Sequence, residues 1–135
     1  MVGSRIDGHL AATAERISRV GPLDAAAMQA DGALLVDTRP QFQRERFGLI
    51  PGAVLIERNH LEWRIDPTSD HRHPDVVAHA GPIVVLCQEG YSSILAVATL
   101  VDLGVPDVHE LAGGFDAWAA AGLPLVGRSE ERRVG

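Results

Sequence analysis

Seven consecutive residues, Cys87-Gln88-Glu89-Gly90-Tyr91-Ser92-Ser93, bring together the only cysteine of this 135-residue chain, two serine hydroxyls and a glycine. An ionised thiol is a potent nucleophile, so this is where the chain could do chemistry. The stretch follows the apolar run Ile83-Val84-Val85-Leu86 and precedes an apolar-rich segment from Ser93 to Leu103. It therefore reads as the turn from a buried strand into a helix. Gly90 lets the backbone curl so that amides face inward as a nest for an anion, and Ser92 and Ser93 are candidate helix caps. In open parallel sheets ligands bind beyond the carboxyl ends of the strands, which is where Cys87 would lie. The plainer alternative is a packing cysteine that finishes a buried strand, and the residue pattern leaves both readings open.

Other polar residues weigh less. Asp37 and Arg39 follow a second apolar run and could touch a ligand, although an acid that accepts amide bonds and pairs with an arginine more often holds loops together. His71, His73 and His79 with Asp70 and Asp75 occupy a proline-broken stretch and match no tetrahedral zinc spacing, so no metal is implied. Trp63 and Trp118 sit among apolar neighbours and are expected in the core. Tyr91 reads equally as a lining of the pocket mouth and as an exposed loop aromatic. Gly113 and Gly114 are read as backbone devices.

The elements that must position these residues follow from apolar periodicity. Leu10 to Ile17 has a helical face, Leu23 to Ala30 is an alanine-rich helix, and Gln41 to Phe47 is a third helical segment. Ala33 to Val36, Ala53 to Ile56 and Ile83 to Leu86 are short apolar runs of the kind buried in a parallel sheet, and Val108 to Leu111 reads as a last strand. Asn59 can cap a helix through Trp63, residues 66–79 form a loop with room for one helical turn, and Phe115 to Ala121 is a closing helix. The gaps between strands exceed the dozen residues that a parallel crossover requires. The fold class is α/β, a three-layer α/β/α sandwich. Residues 1–16 read as a helical extension, 17–127 as the domain and 128–135 as a polar tail.

Composition narrows the function classes. The net charge of -6 and scattered arginines provide no footprint for nucleic acid. The apolar runs are too short to span a bilayer, and no apolar leader opens the chain, so neither a membrane nor a secretory role is expected. A lone cysteine cannot form an internal disulfide, which fits a reducing compartment and a cytoplasmic location.

Four segments, Leu35-Val36-Asp37-Thr38-Arg39, Ile50-Pro51-Gly52-Ala53, Ile83 to Ser93, and Leu111-Ala112-Gly113-Gly114-Phe115-Asp116-Ala117-Trp118, resemble in order the signatures of rhodanese-like domains. The resemblance runs over about residues 17–124. It implies a five-stranded parallel sheet in the order 3-2-4-5-1, with Ser18 to Val20 as the first strand and the catalytic loop after the fourth. It also implies sulfur transfer: Cys87 takes sulfane sulfur from thiosulfate or a persulfide, holds it as a persulfide, and passes it to a thiol or protein acceptor without a cofactor. The loop residues Gln88 to Ser93 would bind the donor, with Asp37 and Arg39 in support.

One departure bears on the donor. Family members active on thiosulfate commonly carry a cation in the loop, often just before its last serine, and here Ser92 holds that place. The loop's one charge is Glu89. A carboxylate about 6 Å from a thiolate opposes it by roughly 1–3 kcal/mol at intermediate dielectric, as much as the ~0.3–2 kcal/mol that a helix N-terminus contributes to an anion. Cations from neighbouring loops, Arg39, Arg46 or Arg58, could offset it. Phosphatases of the same fold resemble this family but carry a loop one residue longer, closed by an arginine, which this chain lacks. Two functions therefore stand: a sulfurtransferase working through a Cys87 persulfide, and a non-catalytic or redox-sensing binding module on the same scaffold.

Overall fold

The structure, a computed structural model, describes residues 3–127. Five strands, β1 (Ser18–Val20), β2 (Leu34–Asp37), β3 (Val54–Leu55), β4 (Ile83–Leu86) and β5 (Val108–Leu111), form one sheet in the order β1-β5-β4-β2-β3. Every pairing is parallel. This is the strand order expected from the resemblance, read from the other edge. The helices are α1 (Arg5–Ala14), α2 (Pro22–Ala30), α3 (Gln41–Phe47), α4 (Leu61–Ile65), α5 (Pro74–Val77), α6 (Ser92–Asp102) and α7 (Gly114–Ala120), with a 3-10 turn at Arg58–His60.

Side chains alternate across a strand, so an all-apolar strand supplies two cores at once. Ile83 and Val85 of β4 join Leu61 and Ile65 of α4, Val76 of α5, and Ala96, Val97 and Leu100 of α6 on one face. Val84 and Leu86 join Ala25 of α2 and Phe115 and Trp118 of α7 on the other. The two clusters are the two interfaces of an α/β/α sandwich, with β4 at its centre and the carboxyl end of β4 opening into the Cys87 loop.

Several local expectations are corrected. The first helix begins earlier, because Ser4 and Asp7 form a reciprocal capping box, Ser4 Oγ accepting from the Asp7 amide at 3.1 Å and Asp7 Oδ2 from the Ser4 amide at 3.2 Å. It also ends at Ala14, so Ile17 lies outside it. The third strand is a two-residue edge strand with Leu55 exposed, rather than a buried run. Asn59 caps nothing; it lies inside the 3-10 turn, and His60 precedes α4. Trp63 is 57% exposed and outside the core. In the five-residue α4, Leu61 and Ile65 are one turn apart and take the inward face, which turns the residue midway between them outward. Ser92 and Ser93 cap nothing with their side chains; Tyr91 occupies the N-cap of α6. The polar tail at 128–135 lies outside the described residues. No helix among the described residues is long and apolar enough to cross a membrane.

Candidate active site

Cys87 follows the last residue of β4 and lies on the floor of a pocket of about 340 Å³ that also takes in Arg39, Arg58, Gln88, Glu89, Tyr91 and Ser92. Cys87 is buried, only 5% exposed, and it lines this pocket. Two groups hold the sulfur. The Gly90 amide donates to Sγ at 3.2 Å, and the thiol donates to Ser93 Oγ at 3.2 Å. The amide is a donor that the sulfur can accept, and the same contact would serve a persulfide.

The loop keeps this shape because the turn from β5 into α7 passes directly behind it. The Phe115 amide donates to Cys87 O at 2.9 Å and the Asp116 amide to Gln88 O at 3.0 Å, which ties two loop carbonyls to the start of α7. Gly90 has φ +88°, and a Cβ there would lie 2.6 Å from the Gly113 amide nitrogen. Gly114 has φ +62°, and its Cβ would lie 2.5 Å from Cys87 O. Only glycine fits either position, since each is both left-handed and in backbone contact.

Gln88 is buried and engaged at both ends, its Oε1 accepting from Arg39 Nη1 at 3.0 Å and its Nε2 donating to Asp116 Oδ1 at 2.7 Å. Arg39 and Asp37 are paired and fully buried at the end of β2. Thr38 fastens β2 to β4, both its amide and its hydroxyl donating to Leu86 O, at 2.9 and 2.8 Å. Of the loop, Glu89, Tyr91 and Ser92 are exposed and form the pocket rim. Arg58 is the neighbouring cation that reaches this rim, half-buried and doubly bonded to Glu62 at 3.0 and 2.9 Å. Arg46 is exposed and lies over the Phe47 ring instead.

Behind Cys87 lies a residue that sequence reasoning did not single out. Glu110, in the third position of β5, has no exposed surface. Its Oε2 accepts from Ser93 Oγ at 2.6 Å and its Oε1 from Arg19 Nε at 2.6 Å. Burial pushes its carboxyl above the usual range, opposed by the bonds from Ser93 and Arg19 and by the Arg19 charge. The signal available was an acid two residues after Val108 in the short strand Val108–Leu111, a position that strand alternation puts on the same face as Val108, a core residue.

Among the described residues, no three His, Cys, Asp or Glu side chains gather as metal ligands. His73 caps α5 instead, its Nδ1 accepting from the Asp75 amide at 3.1 Å, and His79 Nε2 lies 2.9 Å from Pro82 O.

Comparison with known proteins agrees with this architecture. The family model "Rhodanese-like domain" matches residues 22–121. A thiosulfate sulfurtransferase (GlpE) of Pseudomonas savastanoi is 37% identical over 105 residues, which cover 76% of this chain and 87% of that protein. A solved structure from Rhodopseudomonas palustris, described as a protein of unknown function and possible tyrosine phosphatase, is 33% identical. It superposes with a TM-score of 0.81 over 93% of this chain and 96% of that one. The human single-domain sulfurtransferase TSTD1, at 24% identity, shares the fold with a TM-score of 0.64 over 76% of this chain and 95% of its own. With a single thiol after the fourth strand of a β1-β5-β4-β2-β3 sheet and a family match spanning most of its length, the chain belongs to the rhodanese-like domain family.

Proposed function

We propose that this protein is a sulfurtransferase that carries sulfane sulfur on Cys87. The observation that supports it best is the thiol at the floor of a pocket, at the carboxyl end of the central strand, with the Gly90 amide on its sulfur. In the first half-reaction the Cys87 thiolate attacks the outer sulfur of thiosulfate or of a persulfide donor. A new S–S bond forms, the donor's S–S bond breaks, and sulfite or a thiolate leaves with the electron pair. In the second, an acceptor thiolate attacks the outer sulfur of the persulfide, and Cys87 leaves as a thiolate. Such double displacement gives ping-pong kinetics.

The catalytic unit is residues 17–127, to which α1 is an addition packed against α6. Donors are small sulfur compounds and acceptors are thiols, free or on a protein. The exposed Glu89 on the pocket rim favours a persulfide over dianionic thiosulfate, and the lone thiol suits the reducing cytoplasm.

The test is intact mass after incubation with thiosulfate or glutathione persulfide. One added sulfur atom is expected on the wild type and none on Cys87→Ala, while an unloaded wild type with both donors would refute the proposal. The same preparations are assayed with p-nitrophenyl phosphate, the activity suggested by the name of the Rhodopseudomonas neighbour. Little turnover is expected, because the loop from Cys87 to Ser93 contains no arginine to clamp a phosphate.

A further inference from the structure

Glu110 plays no part in the sulfur-transfer steps above, yet it is joined to the nucleophile by an unbroken line of short contacts. Cys87 Sγ lies 3.2 Å from Ser93 Oγ, Ser93 Oγ 2.6 Å from Glu110 Oε2, and Glu110 Oε1 2.6 Å from Arg19 Nε. Cys87, Ser93 and Glu110 are all buried. Arg19 is the cross-strand partner of Glu110 in the β1–β5 register, and its side chain is 33% exposed.

A serine hydroxyl holds one proton and can accept another hydrogen bond. With Glu110 ionised, that proton points to the carboxylate and the oxygen accepts the S–H of Cys87. With Glu110 protonated, the carboxyl donates to Ser93 and the hydroxyl turns its proton to a Cys87 thiolate. The two states differ by one concerted shift. The S–H bond of Cys87 breaks as its proton joins Ser93 Oγ, while the original Ser93 proton passes to Glu110 Oε2. No proton enters or leaves, and the negative charge moves from Glu110 to the sulfur.

We propose that Glu110 is the proton store of Cys87, a positioning residue that acts through Ser93 to expose the thiolate for attack. The inference rests on the reading of Cys87 as the nucleophile. When the acceptor has taken the sulfur and Cys87 departs as a thiolate, the proton returns from Glu110 along the same line. Burial favours the proton-holding form of Glu110, and Arg19 keeps that form from becoming permanent.

The charged groups around the line come from β1, α1 and the Cys87 loop. Arg19 is on β1. Asp7 of α1 and Glu89 of the loop share with Arg19 a second cleft on the α1 side. The mutually compensated pair Asp37 and Arg39 faces the other layer, since Asp37 alternates with Val36 in β2. His109, next to Glu110 in the strand, bonds Ser18 and Asp107 on the opposite face.

The experiment is the pH dependence of iodoacetamide alkylation of Cys87 in the full chain, with circular dichroism as the check on folding. A coupled thiol–carboxyl pair titrates as a pair, so the wild-type rate profile is expected to show two inflections. Glu110→Gln removes the proton store and is expected to lose the lower inflection. Ser93→Ala cuts the line while leaving the Glu110 charge in place, and is expected to lose it as well. A single inflection in the wild type, or two inflections retained in Ser93→Ala, would overturn the proposal, the second result being that of a charge acting through space. Alkylation requires no sulfur donor. A protein that shows the paired profile but takes no sulfur would therefore refute the transfer reading and leave this one standing.

Discussion

Arg39 closes a two-point fork on Asp37, its Nε 3.0 Å from Oδ1 and its Nη2 2.7 Å from Oδ2, and neither side chain has any exposed surface. The same guanidinium donates to Gly48 O at 2.8 Å and to Gln88 Oε1 at 3.0 Å, and lies 3.9 Å above the Phe115 ring. One cation thus connects the end of β2, the end of α3, the Cys87 loop and α7. Removing Asp37 would leave this charge buried without its counter-ion. Asp37→Ala is expected to destabilise the fold by about 3–5 kcal/mol, the usual result of breaking a buried pair from one side. Urea unfolding measures it, and a loss below about 1 kcal/mol would mean that the guanidinium is solvated.

Gly114 tests the contact between the β5–α7 turn and the loop. Alanine there combines a positive φ with a Cβ 2.5 Å from Cys87 O and 2.8 Å from Gln88 O. The left-handed backbone costs about 1–2 kcal/mol and overpacking about 1–3 kcal/mol more. A loss of roughly 2–5 kcal/mol is expected from these two sources together. Sulfur loading should fall with it, because the displaced groups are the carbonyls of Cys87 and Gln88. Gly104 also has positive φ but open space around its Cβ position, so Gly104→Ala should keep full loading and lose only the backbone share.

The pocket rim carries opposed charges, Glu89 and Arg58, which should act with opposite sign on an anionic donor. Glu89→Gln is expected to raise kcat/KM for thiosulfate by about 2- to 5-fold, and Arg58→Ala to lower it by a similar factor, as for partly screened charges at such separations. Both effects should shrink at high salt. Equal effects at low and high ionic strength would show that neither charge acts through the field at the pocket.

Glu110 gives the stability a pH dependence whose sign follows from burial. Its folded carboxyl is held above the ordinary range, so between the unfolded and folded values the native state binds more protons than the unfolded chain. The contribution is therefore fully present below about pH 4.3, the unfolded glutamate value, and is lost as pH rises through the folded value. Glu110→Gln does not titrate. The stability of the wild type relative to this variant should fall as pH rises, which urea unfolding across the range will measure, and a rising difference would reverse the assignment.

Much of the site was legible along the chain. The all-apolar run Ile83 to Leu86, the glycine-bearing loop and the paired glycines 113 and 114 are local patterns, and local patterns determine strands, turns and the places that only glycine can fill. The reading of Trp63 failed where the pattern was shortest, because a five-residue helix gives too few turns to tell an inner from an outer face. Ser93 was misread as a cap because its hydroxyl has a nearer use, with Glu110 on one side and the thiol on the other.

The sequence by itself determined that one thiol would stand at the end of a buried strand in a parallel α/β sandwich, since apolar periodicity and glycine placement act over a few residues. Only the tertiary structure decided what surrounds that thiol. Ser93 and Glu110 are 17 residues apart, and Arg19 and Glu110 are 91 apart. Whether such pairs meet depends on strand order and register, which place β1 beside β5 and set Arg19 opposite Glu110. That register is a property of the whole packed sheet, because each strand settles where both of its faces bury the most apolar surface at once.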